Sequence, residues 1–194
     1  MHAKDRGKYR LKANYKQLLN NNRIFYTERL IIRPYTIKDV DDVFEYANDE
    51  ETVKYLTWTT HKTKDQTIRV INQFYLNNPC LYAIELKSNN KCIGTIDFRI
   101  DEQNDKASFG YVLNRQYWNK GYMSETLREL MKFYFEVIVL NRLESTHYVG
   151  NGASGKVMQK CNMKYEGRGI QEVKIKGVFF DVEHYAIVKD AWKY

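Results

Sequence analysis

The chain has 194 residues, 43% of them hydrophobic and 28% charged, which supplies one domain with a substantial core and leaves little room for a second. No apolar run approaches the roughly 18 residues that a bilayer span needs, and the first residues lack signal-peptide character, so a cytoplasmic location is expected. Its 31 basic against 24 acidic residues leave a net charge of +7, an attraction for polyanions that no recognisable nucleic-acid-binding motif accompanies.

Residues 1–22 are polar and basic, with Tyr9, Leu11, Tyr15, Leu18 and Leu19 scattered through them. They read as a basic N-terminal arm, either a docked helix or a partly ordered segment, ahead of a single domain over residues 23–194. A strand is expected at Arg29–Tyr35, then Thr36 as a helix N-cap before Val40, Val43, Phe44 and Ala47 at helical spacing. After Thr63, the spacing of Ile68, Ile71, Phe74 and Tyr75 predicts a second helix, ended by Asn77, Asn78 and Pro79. Between these helices the aromatic and hydroxyl-rich run Tyr55–Thr59 is a candidate substrate-facing loop.

Three extended runs follow, Leu81–Leu86, Lys91–Ile100 and Lys106–Leu113, and read as an antiparallel meander. A helix opens near Tyr122, with Leu127, Leu130, Met131, Tyr134 and Ile138 on one apolar stripe. A strand at Leu143–Val149, a short helix from Ala153 to Cys161, and a hairpin of Lys164–Ile175 with Phe179–Val188 joined around Lys176 and Gly177 complete the chain. The class is α/β, an α+β mixed sheet. Three cysteines, Cys80, Cys92 and Cys161, are odd in number and widely spaced, so they read as reduced thiols. Neither they nor His2, His61, His147 and His184 have metal-ligand spacing, and no metal is expected.

The junction Tyr117–Glu125 carries most of the chemistry. A strand end, a glycine and an amphipathic helix start together present unpaired backbone amides at the positive end of a helix dipole, where a phosphate is favoured. Gly121 lets the main chain approach such a ligand closely, and Lys120 adds charge. A nucleotide-like cofactor is the natural occupant.

With Asn141, Arg142, Leu143, Asn151, Ser154 and the run Met163–Gly167 following in order, the chain resembles the GNAT superfamily of acetyl-CoA-dependent acetyltransferases, the RimJ/RimL type in particular. The run Thr27–Pro34 matches that type's opening strand, and Asp181, Val182, Tyr185 and Ala186 match its closing one, so the resemblance spans roughly residues 26–190. It implies a mixed, mostly antiparallel sheet of six to seven strands flanked by about four helices, with two central strands splayed beside acetyl-CoA, here Lys106–Leu113 and Leu143–Val149. It also implies cofactor contacts from Asn119, Lys120, Gly121, Tyr122, Met123 and Ser124 in the cradle, from Val112 and Asn114 to the pantetheine amides, and from Asn151. Where the type commonly reads Trp-Gly-x-Gly-Tyr-Ala, this chain has Asn119 and Met123 at two of the small positions.

Ser154, in the element Asn151-x-x-Ser154, is by the same resemblance the candidate hydroxyl near the cofactor sulfur; the alternative is a helix cap. The position where relatives often carry a glutamate base falls near Ser108, which leaves Glu172 and Asp97 as candidate bases. The expected activity is transfer of an acetyl group to a primary amine, a protein N-terminus or a small molecule, by direct attack in a ternary complex. A CoA-binding module without turnover and a nucleic-acid-associated protein acting through the basic arm are the alternatives. The acidic run from Asp41 to Glu51 could suit a polycationic acceptor but is ordinarily a solvated face. Monomer and homodimer both remain open.

Overall fold

Period-two apolar alternation in the middle and at the end of the chain builds one sheet, and the helices that interrupt it cover both faces. The computed structural model describes residues 15–193. In chain order these are α1 (Tyr15–Asn21), β1 (Phe25–Tyr26), β2 (Leu30–Arg33), α2 (Val40–Ala47), α3 (Glu50–Val53), α4 (Lys64–Val70), β3 (Leu81–Leu86), β4 (Cys92–Asp101), β5 (Lys106–Leu113), α5 (Tyr122–Lys132), β6 (Arg142–Tyr148), α6 (Gly152–Lys160), β7 (Lys164–Ile175) and β8 (Val178–Val188). The strands form one eight-stranded sheet in the order β1-β2-β3-β4-β5-β6-β8-β7. Eight strands and six α-helices exceed the six to seven and about four expected. The two-residue β1 and the one-turn α3 are too short to leave a periodic signal, and α1 falls within the segment read as an arm.

Local sequence fixes the element starts. Thr36 and Asp39 form a reciprocal capping pair, with Thr36 N–H donating to Asp39 Oδ2 at 2.8 Å, ahead of α2. Thr63 caps α4 by accepting from Gln66 N–H. Lys176 and Gly177 both have positive φ, 50° and 87°, which closes the β7–β8 hairpin in the twist the strands require.

The main core lies on the sheet face covered by α1, α5 and α6. The whole expected stripe of α5 and its continuation, Leu127, Leu130, Met131, Tyr134 and Ile138, is buried there, and the Tyr134 ring stacks on Phe98 of β4 at 4.1 Å. Leu19 of α1 is 1% exposed in the same core, so residues 15–21 are a docked helix; residues 1–14 lie outside the described part. On the opposite face α2 buries Val43, Tyr46 and Ala47 against Leu81, Ala83 and Cys92. The three cysteines are free thiols. No helix among the described residues is long and apolar enough to cross a membrane, and they contain no His/Cys/Asp/Glu cluster suited to a metal ion.

Candidate active site

The site begins with the sheet's only parallel neighbours. β5 and β6 pair solely at Lys106↔Arg142, Ala107↔Leu143 and Ser108↔Glu144; beyond that they diverge, and a bond from Ser145 Oγ to Phe109 O at 2.7 Å marks the fork. The splay expected of Lys106–Leu113 and Leu143–Val149 is present. Past the fork, β5 remains paired on its other side to β4 up to Gly94↔Leu113.

That register decides which amides face the gap. Asn114 N–H donates to Ile93 O at 2.8 Å, and alternate residues of an antiparallel strand turn their main-chain groups the same way. Val112, opposite Thr95, therefore bonds toward β4 as Asn114 does, and Tyr111 and Leu113 face the open edge. The main-chain groups of Val112 and Asn114, expected to meet pantetheine amides, thus face β4 rather than the gap. Asn114 is moreover buried, its side chain donating to Glu45 Oε1 at 2.8 Å and accepting from Gln116 N–H at 3.0 Å. Val112 still lines the cleft through its side chain.

At the end of β5 the chain makes a short 3₁₀ turn and enters α5 through Gly121, whose φ of 82° is left-handed and favours glycine. The helix's own ladder starts with Glu125 N–H on Gly121 O at 3.0 Å. The amides of Asn119, Lys120, Gly121, Tyr122, Met123 and Ser124 bond to nothing among the described residues. Six unbonded donors stand together at the helix N-terminus where a phosphate cradle is expected, and the two departures from the small-residue pattern bond to none of them. Met123 is 4% exposed because its side chain points into the core, and Asn119 sits at φ 60° with its side chain exposed, a conformation asparagine tolerates. Arg29 braces the loop from β2, with Nη1 donating to Lys120 O at 3.0 Å, Nε to Glu125 Oε2 at 2.7 Å, and the guanidinium 4.3 Å from the Tyr122 ring centroid. The sequence singled out Arg29 only as part of an opening strand; its partner Glu125 lies 96 positions away.

A cleft of about 730 Å³ runs through the fork and joins the two faces of the sheet. That volume suits a small acceptor beside the end of a larger ligand. On the α5/α6 face, Ser154 enters from the first turn of α6. Its Oγ lies 2.9 Å from Tyr111 Oη, and Tyr111 donates to Ser154 O at 2.8 Å. The hydroxyl thus points at another side chain rather than capping the helix, whose N-cap is Asn151. Burial pushes the Tyr111 phenol well up, so it stays a neutral donor. Asn151 lines the cleft as well.

On the other face Asp97, opposite Gly110 in the register, lines the cleft and is paired with Arg99. Burial raises its carboxyl above the ordinary value, and the Arg99 guanidinium pulls it back only in part. Tyr55–Thr59 line the cleft as its facing wall, and the ring of the buried His61 is tilted against Trp58 at 5.2 Å. Glu172 does not line the cleft; it is exposed on β7 and bonds His184 Nε2 at 2.7 Å. The structure therefore gathers Ser154, Asp97 and Asn151 at one opening, adds Tyr111 and Arg99, which sequence reasoning did not single out, and leaves Glu172 apart. Most of the acidic run is committed elsewhere, with Asp41 on Lys64, Asp42 and Glu45 on Lys91, Glu51 on Lys54, and Asp49 accepting from Thr52 N–H as a helix cap.

Comparison with known proteins agrees with this geometry. Residues 29–164 match the family model described as an acetyltransferase (GNAT) domain. An uncharacterized N-acetyltransferase of Bacillus licheniformis, p20, is 32% identical over 169 residues, covering 84% of this chain and 95% of p20. YnaD of Bacillus subtilis, also an uncharacterized N-acetyltransferase, is 29% identical over 86% of this chain and 97% of its own. The crystal structure of a GNAT-family acetyltransferase from Bacillus anthracis superposes with a TM-score of 0.80, at 29% identity over 86% of this chain and 99% of that one. A sheet forked at two parallel strands, a row of unbonded amides at a helix start and a matching family model agree, and the chain belongs to the GNAT acetyltransferases, enzymes that take their acetyl group from acetyl-CoA.

Proposed function

We propose that this chain is a RimJ/RimL-type N-acetyltransferase that passes the acetyl group directly to a primary amine, with Asp97 receiving the amine's proton and Ser154 attending the departing thiolate. The reading is carried by one observation: Asp97 and Ser154, on opposite faces of the sheet, open into the same cleft where β5 and β6 part. The subtype is supported by the run Thr27–Pro34, whose Arg29 braces the cradle, and by the Asn151-x-x-Ser154 element at the cleft.

When bound, acetyl-CoA supplies the thioester carbonyl that the amine attacks. The six cradle amides and Lys120 suit its pyrophosphate, and the open edge of β5 at Tyr111 and Leu113 suits its pantetheine arm. The Leu113 carbonyl is already taken by Trp118 Nε1 at 2.7 Å, which leaves its N–H and the Tyr111 groups. An amine must be neutral to attack, and Asp97, with a raised carboxyl, is a better proton acceptor than a solvated aspartate. The single phenol proton of Tyr111 lies on Ser154 O, so Ser154 Oγ donates to Tyr111 Oη, and that hydroxyl proton can turn from the phenol to a thiolate sulfur.

The test is acetyl-CoA-dependent thiol release against a panel of amines, beside calorimetric titration of CoA. Amine-dependent release with CoA binding is the expected result. Binding without release from any amine would point to a module that has lost turnover. The names of other relatives carry different acceptors: AaaT of Escherichia coli, 29% identical over 43% of this chain, is an L-amino acid N-acetyltransferase, and a structural neighbour at 17% identity is a spermidine N-acetyltransferase from Vibrio cholerae. The acceptor of this chain has to be read from its own cleft.

A further inference from the structure

Among the described residues, Asp97 and Arg99 are the only Asp, Glu, Lys or Arg lining the cleft, and of its two histidines His147 is buried and turned to Glu183 at 3.0 Å. His61 is buried, and burial lowers its pKa, so it is neutral at pH 7. The cleft therefore offers one negative and one positive group side by side, and the rest of its wall is largely aromatic, with Tyr55, Trp58, Phe74 and Tyr75 on the loop and α4 side.

The pair is set out for use. Arg99 Nε donates to Ser108 Oγ at 3.3 Å and Nη1 bonds Asp97, while Nη2 bonds nothing among the described residues. The pair packs closely over Gly110 of β5: a Cβ there would meet Arg99 Nη2 and Asp97 Oδ1, each at 3.3 Å. The Arg99 side chain is 59% exposed, and an ion pair that open contributes little to stability, so folding does not account for it. A free guanidinium edge recognises a carboxylate.

We infer that the acceptor is a free α-amino acid with a large apolar or aromatic side chain, its amine at Asp97, its carboxylate on the free edge of Arg99 and its side chain against the aromatic wall. The inference rests on the reading of Asp97 as the group that receives the acceptor's proton. A polyamine fits poorly, since the lining carries no net negative charge and the acidic run of α2 is spent on lysines outside. A protein N-terminus has the ammonium but no carboxylate beside it.

The experiment compares L-phenylalanine, L-phenylalaninamide and spermidine as acceptors, with wild-type protein, Arg99→Gln and Arg99→Lys. One charge-assisted pair gives an expected kcat/KM about 10- to 100-fold higher for phenylalanine than for its amide, carried mainly by KM. Arg99→Gln should bring the acid-to-amide ratio close to one, Arg99→Lys should restore part of it, and melting temperatures report that the variants fold. Equal or better use of the amide or spermidine, or an acid-to-amide ratio indifferent to Arg99, overturns the inference and leaves the acetyltransferase reading standing. If none of the three is acetylated while acetyl-CoA binds, and a wider amine panel is also inert, both fall.

Discussion

At the residue scale, the roles proposed for Ser154 and Asp97 differ, and variants of the two separate them. Removing the Ser154 hydroxyl by Ser154→Ala should cut kcat at least tenfold, within the range typical of a positioned proton donor. The lost bond to Tyr111 should cost only about 0.5–1.5 kcal/mol of stability. Tyr111→Phe keeps the serine but frees it to rotate, so a smaller loss of kcat with a similar stability cost is expected; equal turnover in Ser154→Ala and wild type would remove the serine from the reaction. For Asp97 the sign of the pH effect follows from burial, which raises its folded-state pKa above the unfolded value. The folded protein then holds that proton more tightly, a stabilisation present at low pH and lost as pH rises through the raised pKa. At neutral pH the ionised carboxylate is a cost. Asp97→Asn should therefore leave the melting temperature at pH 7 unchanged or higher, while lowering kcat/KM by about 10²-fold or more and flattening its rise on the acid side. A lowered melting point with a normal pH profile would show Asp97 to be structural. The Ser154–Tyr111 bond itself could not be read from the sequence, because tyrosine on a strand with apolar neighbours looks like core and its partner lies 43 positions away.

At the element scale, α6 must lie close to β6 for Ser154 to reach Tyr111. Gly155 permits this: a Cβ there would stand 2.5 Å from His147 Nε2. The imidazole cannot easily retreat, being 6% exposed, stacked on Tyr185 at 5.6 Å and held by Tyr148 O and Glu183. Gly155→Ala should thus push α6 outward, costing about 1–3 kcal/mol by the usual penalty for overpacking and lowering kcat with it. Chemical denaturation and turnover on the same sample check both effects, and an unchanged stability would mean that the ring yields. α1 gives a second measure of how elements dock, since truncating its fully buried Leu19 to alanine should cost about 2–5 kcal/mol in the same assay. The strands, α5 and the cradle were legible because each repeats a local period or punctuation, alternation along β4 and β5, a 3.6-residue stripe on α5, a glycine at its start. The docking of α1, the extra edge strand β1 and the turning of Val112's main-chain groups toward β4 were not, since each is set by register or by contacts between distant segments.

At the scale of the whole molecule, the sheet is two halves joined by three parallel residue pairs and then held open. Elsewhere neighbouring strands pair over much of their length; here the edges of β5 and β6 past the fork have main-chain groups with no strand opposite, a state that costs stability unless something fills the gap. A ligand whose long arm lies along Tyr111 and Leu113 and whose phosphates sit on the α5 amides would bridge both halves, and so should raise the stability of the entire domain. Binding to the folded state alone contributes about 2.7 kcal/mol at 100 times Kd, or roughly 5–11 °C for a domain of this size. CoA at that concentration should produce such a shift in thermal melting. Gly121→Val should abolish most of it, because valine is strained at a φ of 82° and its branched side chain crowds the amides. That substitution also lowers the starting melting point, so the quantity to compare is the CoA-induced increment, with the Kd from calorimetry beside it. An increment in Gly121→Val equal to that of wild type, in protein that still unfolds cooperatively, would mean that CoA binds somewhere other than the start of α5.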